Sequence, residues 1–268
     1  MIRLKSPSEI QKMRRAGRHL AKTFQNIFEL LKPGIDTAEL DKVLEHNIRS
    51  EGGRPAFKGY RGAGTKPFPA SSCISINEAV VHGVPSSRRL EAGQIVGIDT
   101  GLELDGWFSD MAATFLIGEV DETYQRLWRV TREALYQGID QARSGRYISD
   151  IGAAVQDWVE RNGFSIIRDL VGHGIGSDLH EEPAIPNYRT PGAKIKIHPG
   201  MTLAIEPMVS AGQWQIKTLS DGWTAVTQDG SPTAHFEHTV LVTDGEPEIL
   251  TLLPDGSDPW LIAARRQE

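Results

Sequence analysis

The stretch Val171-Gly172-His173-Gly174-Ile175-Gly176-Ser177-Asp178-Leu179-His180-Glu181-Glu182-Pro183 carries two of the eight histidines, seven residues apart, among three glycines. Glycine lets the backbone adopt positive φ and approach a bound group closely, so the stretch predicts a shaped loop. Neutral imidazole is the commonest side-chain ligand for transition metals and carries protons near neutral pH. Taken alone, the stretch is equally compatible with two polar residues in a glycine-rich turn.

The composition indicates a soluble globular protein. The 268 residues are 39% hydrophobic and 24% charged, as in ordinary globular domains. A net charge of −6 argues against a dedicated nucleic-acid binder. Apolar runs stay far below the ~20 residues that span a membrane, and residues 1–6 lack the apolar core of a secretory signal. The single cysteine, Cys73, excludes an internal disulfide and a thiolate metal site. We therefore expect a cytoplasmic protein.

The periodicity of apolar residues alternates between helical and strand-like. Helical spacing covers residues 7–32, and a capping box at Asp36 and Glu39 predicts a second helix ending near Arg49. A loop rich in Gly, Pro and Lys follows over 56–72. Strands are predicted at 95–99, 111–117, 165–170, 201–206 and 239–243, with helices at 121–143 and 148–161. The polar tail, 254–268, is interrupted by Trp260 and two further apolar residues and is expected to be a surface extension.

An internal repeat relates two parts of the chain. Gly34, Leu40 and Gly52 recur at one constant offset as Gly145, Ile151 and Gly163. Gly93 and Asp99 recur at a slightly shorter constant offset as Gly200 and Glu206. The ordered set predicts one domain, 1–268, built from related halves at about 1–130 and 131–250. Paired halves would bring Asp99 and Glu206 to equivalent places near a central seam.

Four carboxylates lie beside apolar strands. Asp99 ends one such run, Asp110 begins another, Glu206 is enclosed by apolar residues, and Glu237 precedes Val240 and its apolar neighbours. A buried ionised carboxylate is costly unless it is paired or binds a metal. Each one alone is compatible with a strand cap or an ion pair. Together with a histidine they favour an oxygen- and nitrogen-bound Mn²⁺, Fe²⁺, Co²⁺ or Zn²⁺, and bridging carboxylates favour two metals ~3.5–4 Å apart.

Several motifs make the chain similar to type I methionine aminopeptidases, which belong with prolidase and creatinase to the pita-bread metallopeptidases. The resemblance covers about residues 4–253. The motifs are Cys73-Ile74-Ser75-Ile76-Asn77-Glu78, Val81-His82-Gly83-Val84-Pro85, Ile98-Asp99, Ser109-Asp110, Gly172-His173-Gly174-Ile175-Gly176, His180-Glu181-Glu182-Pro183, Ile205-Glu206-Pro207-Met208, Asp221-Gly222-Trp223 and Phe236-Glu237-His238-Thr239.

The resemblance implies an α+β pita-bread fold, in which two pseudo-twofold-related halves pack their helices on a central, mostly antiparallel curved sheet. It implies two divalent ions (Co²⁺, Mn²⁺, Fe²⁺ or Zn²⁺) held by five ligands: Asp99, Asp110, His173, Glu206 and Glu237. Asp110 and Glu237 would bridge the two ions. It also implies catalytic roles for His82, His180 and Glu206. The substrate-binding residues would be these two histidines with Tyr60, Phe68, Cys73 and Trp223.

The activity implied by the resemblance is hydrolytic removal of the initiator methionine from nascent chains with a small second residue. The same resemblance implies a monomer, transient ribosome contact and a monovalent-cation site that Asn77 would serve. Arg61, Ser109, Leu179 and an insertion near 62–67 depart from the family pattern and leave the pocket shape open.

Two rival functions remain open. A proline-specific peptidase of the same fold would share the ligands, although such relatives usually carry an additional N-terminal domain, for which residues 1–30 leave no room. A non-catalytic binding protein of this fold would have lost ligands, whereas all five ligand positions here are intact.

Overall fold

The computed structural model describes residues 2–62, 66–192 and 194–260. Within these ranges the helices are α1 (Pro7–Gln25), α2 (Thr37–Ser50), α3 (Glu122–Ile139), α4 (Ile148–Arg161) and a 3-10 turn (Phe28–Leu30). The strands are β1 (Arg54–Pro55), β2 (Ser72–Ile76), β3 (Ala79–Val81), β4 (Gln94–Leu104), β5 (Trp107–Ile117), β6 (Ser165–Ile166), β7 (Gly172–Gly174), β8 (Glu181–Ile185), β9 (Thr202–Ile205), β10 (Met208–Ser210), β11 (Ile216–Thr218), β12 (Ala225–Thr227), β13 (Thr233–His235), β14 (Glu237–Leu241) and β15 (Glu248–Ile249).

The predicted helices form, and local chemistry explains their ends. The Asp36 carboxylate accepts a hydrogen bond from the Glu39 amide at 2.8 Å, which caps α2 as expected. The first helix is shorter than its apolar pattern suggested, because the chain turns through the 3-10 segment before Pro33. None of the helices in the described part of the chain combines the length and apolar character that crossing a bilayer requires.

A nine-stranded sheet organises the molecule. Its order is β1-β4-β5-β14-β9-β7-β8, with β2 added at β4 and β15 at β14, and its neighbouring strands pair antiparallel. Two three-stranded sheets, β13-β10-β6 and β11-β12-β3, accompany it. The largest apolar cluster joins residues of all four helices to the central strands, among them Leu20, Leu44, Leu135, Ile151 and Ile98. The helices thus pack on the central antiparallel sheet, which confirms the α+β fold that the sequence predicts.

Equivalent hydrogen bonds recur in the two halves of the chain. The Gly34 amide donates to Leu90 O at 2.8 Å, and the Gly145 amide donates to Ile197 O at 3.0 Å. These donors and acceptors are related by the same two offsets that the sequence repeat shows. Gly93 (φ 88°) and Gly200 (φ 87°) are related in the same way. So are two isolated β-bridges, Asp36–Arg89 and Tyr147–Lys196. The repeat is therefore visible in the backbone pairing.

The β4–β5 hairpin corrects two strand boundaries. Both strands extend past the carboxylates to a two-residue turn at Asp105 (φ 53°) and Gly106 (φ 79°), a conformation that Asp-Gly favours in hairpins. Asp99 and Asp110 therefore lie inside long strands, and the expectation that they stand at a strand end and a strand start is wrong. Because backbone pairing between β4 and β5 continues past the polar residues, both strands extend beyond the apolar pattern that was used to predict them.

The C-terminal segment is also corrected. Trp260 is buried, stacks on the His238 ring (centroids 4.6 Å, interplanar angle 29°) and contacts Phe236. Asp258 accepts a hydrogen bond from the Tyr136 hydroxyl. A surface extension is thus wrong for this part of the tail, because its tryptophan completes the core beside β14. Residues 261–268, and residues 63–65 within the predicted loop insertion, lie outside the described ranges.

Candidate active site

Each of the five predicted metal ligands lies in, or directly after, one of five neighbouring strands of the central sheet. Asp99 lies in β4, Asp110 in β5, Glu237 at the start of β14, and His173 in β7, while Glu206 follows β9 directly. The sheet order is β4-β5-β14-β9-β7 across this region. Residues from distant parts of the sequence therefore meet because the sheet places their strands side by side.

The pairing register explains why these side chains share one face. Ala112 pairs with Asp99 on one side and with Glu237 on the other. Directly paired residues of antiparallel strands point to the same face, and so does Asp110, two positions from Ala112. His173 pairs similarly with Ala204. The two alanines leave space above the sheet, where larger side chains would fill the site.

The donor atoms converge within a short distance. The His173 Nε2 atom lies 3.7 Å from a Glu206 oxygen and 4.0 Å from an Asp110 oxygen. One ligand atom each from Asp110, His173 and Glu237 fall within 4.8 Å of one another. These three residues are all buried. The spacing is compact enough for the group to surround a small cation.

Burial and mutual repulsion disfavour ionisation of the four carboxyl groups. Removal from water raises the pKa of Asp99, Glu206 and Glu237 well above the ordinary range, and the charges of neighbouring carboxylates raise the pKa of each further. Burial raises the pKa of Asp110 to about 7. Positive charge among these groups would favour their ionised forms.

The site residues fit divalent cations. Asp99 Oδ1 and Glu237 Oε1 are buried without a hydrogen-bond partner, so each has a lone pair available to a cation. The His173 Nδ1 atom donates to Gly174 O at 2.8 Å, which leaves the unprotonated Nε2 facing the carboxylates. Burial lowers the pKa of His173 to about 3, so the ring is neutral and able to ligate. Oxygen and imidazole donors of this kind suit Mn²⁺, Fe²⁺, Co²⁺ and Zn²⁺.

A cavity of about 320 Å³ opens above the donor group. All eleven site residues predicted from the sequence line it: Tyr60, Phe68, Cys73, His82, Asp99, Asp110, His173, His180, Glu206, Trp223 and Glu237. The cavity has a polar floor of ligand candidates and a largely aromatic wall.

Ring contacts define the wall of the cavity. Trp223 makes T-shaped contacts with Phe68 (centroids 5.2 Å) and with His82 (centroids 6.3 Å). His180 lies between Tyr60 (5.1 Å) and His173 (4.3 Å). The two predicted catalytic histidines thus stand where the aromatic wall meets the polar floor.

The two wall histidines are neutral donors or acceptors at physiological pH. Burial, with a smaller contribution from the His180 side chain, lowers the pKa of His82 to about 4. Burial also lowers the pKa of His180. A neutral imidazole carries one N–H that can donate to a carbonyl oxygen and one lone pair that can accept a proton. Burial raises the pKa of the Cys73 thiol well above its usual value, so this thiol is an apolar part of the wall.

Sequence reasoning missed several residues around the site. Phe57 lines the cavity, and its only sequence signal was an aromatic residue in a glycine-rich loop. The Thr239 hydroxyl accepts from the Asp110 amide at 3.0 Å and donates to the Asp110 carbonyl at 2.8 Å, which holds this strand position. By contrast, the sequence already places His235 two positions before Glu237, where it can act behind the ligands, and its Nε2 atom lies 3.7 Å from Glu206. Leu179, whose departure from the family pattern was expected to affect the pocket, forms part of the cavity wall.

Known proteins resemble this chain over most of its length. Residues 11–244 match the family described as "Metallopeptidase family M24". The methionine aminopeptidase of Clostridium perfringens is 48% identical over 253 residues, which are 94% of this chain and 100% of that protein. The methionine aminopeptidase of Escherichia coli K12 is 42% identical over 264 residues, 98% of each chain.

A solved structure agrees with these relatives. The crystal structure of methionine aminopeptidase from Thermotoga maritima superposes with a TM-score of 0.90 at 45% identity, covering 94% of this chain and 99% of that one. The family match spans well over half the chain and includes all five ligand candidates. The chain therefore belongs to metallopeptidase family M24.

Proposed function

We propose that this protein is a methionine aminopeptidase that hydrolyses the first peptide bond of proteins and peptides beginning with methionine followed by a small residue. The observation that carries the proposal is that five metal-ligand candidates line one cavity with a largely aromatic wall, three of them with donor atoms within 4.8 Å of one another. Relatives named methionine aminopeptidase, 42–48% identical over nearly the full length, support the substrate.

The proposed cofactor is a pair of divalent ions, Co²⁺, Mn²⁺, Fe²⁺ or Zn²⁺. Asp99, Asp110, His173, Glu206 and Glu237 would hold it, with Asp110 and Glu237 shared between the two ions. When bound, such a pair lowers the pKa of a water molecule and polarises the scissile carbonyl. Family membership supports metal dependence, and the two unpartnered carboxylate oxygens support this donor set.

The chain's own groups would move protons and bind the substrate. Glu206, whose pKa is raised, is suited to take a proton and pass it to the leaving amine. His180 can donate its N–H to the carbonyl oxygen as negative charge develops there. His82, which contacts Trp223, would bind the next part of the substrate backbone.

The aromatic wall suits the methionine side chain. Tyr60, Phe68 and Trp223 present ring faces and edges, and Cys73 adds a small apolar surface. A thioether makes favourable contacts with aromatic rings at about 5 Å. Leu179 offers a smaller, more flexible wall than an aromatic residue would, which enlarges the space for the side chain.

Further assignments belong to the same proposal. The protein would act as a cytoplasmic monomer on nascent chains and contact the ribosome transiently, with no specificity for nucleic acid or membranes. Asn77, whose backbone has φ of 56° and whose carbonyl accepts from Thr233, would serve a monovalent-cation site. Residues 1–268 would form the single catalytic domain.

A peptide assay with metal analysis tests the proposal. The purified protein, loaded with each of Co²⁺, Mn²⁺, Fe²⁺ and Zn²⁺, is given Met-Ala-Ser, Met-Leu-Ser and an Ala-Pro dipeptide. We expect release of methionine from the first peptide, much slower release from the second, and two bound ions per chain. Cleavage of the Xaa-Pro dipeptide alone would favour a proline-specific peptidase, and full metal binding without any cleavage would favour a binding protein.

A further inference from the structure

The start of the chain lies against the loop that carries His180. Residues 2–6, which we call the N-terminal strap, precede α1. Residues 175–181, which we call the His180 loop, comprise the connection from β7 to β8 and the first residue of β8. The Lys5 amide donates to Gly200 O at 2.8 Å, so the strap is tied to the body of the protein beside the loop. The strap and the loop lie far apart in the sequence, and only the fold brings them together.

A buried ion pair joins the two segments. The Lys5 ammonium lies 2.7 Å from Glu181 Oε2, and the two side chains are only 2% and 12% exposed. Burial of a lysine is expensive unless its charge is matched, and a broken buried pair leaves an uncompensated charge. This pair therefore differs from the exposed ion pairs elsewhere on the surface, which contribute little.

Glu181 also holds the loop from within. Its other oxygen, Oε1, accepts from the Ser177 amide at 2.7 Å and from the Asp178 amide at 3.3 Å. Arg3 adds a hydrogen bond from its guanidinium to the Ser177 hydroxyl at 3.0 Å. The Glu181 carboxylate thus binds backbone amides within the loop and, through its ion pair with Lys5, connects the loop to the strap.

The strap and the His180 loop are tightly packed where they meet. A Cβ atom at Gly176 would lie 2.5 Å from both Glu181 Oε1 and the Lys5 Cε atom, so the loop backbone touches the ion pair directly. The Gly176 carbonyl accepts from the Phe108 amide at 2.8 Å, which connects the loop to β5. Lys5 and Glu181 are outside the group that lines the cavity, whereas the adjacent His180 is inside it.

We propose that Lys5 and Glu181 are positioning residues that fix the His180 loop so that the His180 ring stands over the scissile carbonyl. The inference rests on the proposed function for the role of His180. Because hydrogen-bond stabilisation of a transition state depends steeply on geometry, a displacement of about 1 Å costs up to about 10²-fold in rate. The chain's first residues would therefore take part in catalysis without touching the substrate.

The test compares Lys5→Met, Glu181→Gln and the double variant with the wild type. For both single variants we expect kcat on Met-Ala-Ser to fall about 10- to 100-fold, with KM and the metal dissociation constants changed by less than about twofold. The double variant should lose little more than the worse single variant, since the two residues act as one unit.

A matched control separates positioning from general stability. Arg14 and Glu248 form a part-exposed ion pair at 2.6 Å between α1 and β15. Arg14→Met should leave kcat within about twofold of the wild type. If Arg14→Met lowers kcat as much as Lys5→Met does, the effect is not specific to the loop and the proposal fails.

Other outcomes also decide the matter. Unchanged kcat in folded Lys5→Met and Glu181→Gln, or metal loss that accounts for the lower rate, overturns the proposal. If both variants fail to fold, Glu181→Asp is measured instead. This variant keeps the negative charge on a side chain one methylene shorter, and the proposal requires that it lower kcat. If the wild type does not release methionine, the proposed function fails instead. The side-chain ¹⁵N resonances of His180, against those of surface His198, then report whether Lys5→Met moves the loop.

Discussion

At the scale of single residues, two histidine rings only 4.3 Å apart are expected to have different roles. His173 directs Nε2 at the carboxylates, whereas His180 packs on Tyr60 at the cavity wall. His173→Ala should therefore bind metal poorly. His180→Ala should keep its metals while kcat falls ~10²–10³-fold, about 2.7–4 kcal/mol, as for the loss of an oxyanion donor. Metal titration and kcat measurements check both. Metal loss in His180→Ala equal to that in His173→Ala would contradict the distinction.

Asp110 is expected to lose both metal and activity when it becomes an amide. Asp110→Asn keeps the side-chain shape but offers a neutral, weaker ligand at the centre of the donor group. Asp105→Asn on the same hairpin is the matched control, since it removes an exposed carboxylate at a positive-φ position that asparagine tolerates. Metal analysis and turnover measure the effect. Full occupancy and normal turnover in Asp110→Asn would exclude Asp110 as a ligand.

At the scale of elements, helix α2 holds the loop that forms part of the cavity wall. Glu45 in α2 accepts hydrogen bonds from Lys58 at 2.6 Å and from the Ser71 hydroxyl at 3.0 Å, at the two ends of the loop that carries Tyr60 and Phe68. The hydrogen bond from Lys58 is the largest cause that lowers the pKa of Glu45 to about 2. The loop position therefore depends on an ionised carboxylate.

The lowered pKa of Glu45 makes this contribution dependent on pH. A depressed folded-state pKa stabilises the protein above the unfolded-state value near 4.5, and the benefit is lost as pH falls towards 2. Glu45→Gln should lower the free energy of unfolding by about 0.5–1 kcal/mol at pH 7. The difference should shrink steadily between pH 5 and pH 3 in urea titrations. A difference that stays constant with pH would show that the charge is not responsible.

The C-terminal segment should stabilise the strand that carries Glu237. Trp260 stacks on His238 in β14, and the His238 Nδ1 atom is hydrogen-bonded to the Thr251 hydroxyl at 2.7 Å. Trp260→Ala should cost about 3–5 kcal/mol of unfolding free energy because it leaves a cavity in the core. Trp260→Phe should cost less, since it retains a ring at the same place. Urea denaturation measures both, and a loss below about 1 kcal/mol for Trp260→Ala would contradict the packing argument.

At the scale of the whole molecule, metal removal should make stability fall as pH rises. In the metal-free protein, burial raises the pKa of the site carboxylates, Asp110 to about 7. A raised folded-state pKa contributes stability at low pH that is lost as pH passes through that value. The chelated protein should therefore unfold more easily at pH 8 than at pH 5.5.

Metal should reverse this loss. Free metal at about 100 times its dissociation constant stabilises by about 2.7 kcal/mol, which corresponds to about 5–10 °C in Tm for a chain of this size. Calorimetric scans at pH 5.5 and 8, with chelator and with metal, measure both effects. Equal Tm values at pH 8 with and without metal would contradict the assignment of the buried carboxylates as ligands.

Sequence alone determined what depends on local chemistry. Helix α2 follows from its Asp36 cap, the glycine spacings of the repeat follow from backbone positions that need positive φ, and the residue types of the donor group follow from the cost of burying carboxylates. The family motifs then related these residues to one site, and all eleven predicted positions line one cavity.

Tertiary structure alone decided what depends on pairing between distant segments. The strand lengths around Asp99 and Asp110, the order β4-β5-β14-β9-β7, the burial of Trp260 and the contact of Lys5 with Glu181 have no local signal. Local pattern records which face of an element is apolar, but it does not record which other element covers that face. Backbone hydrogen bonding between strands and exclusion of water select those partners, because both are satisfied only when the whole chain has folded.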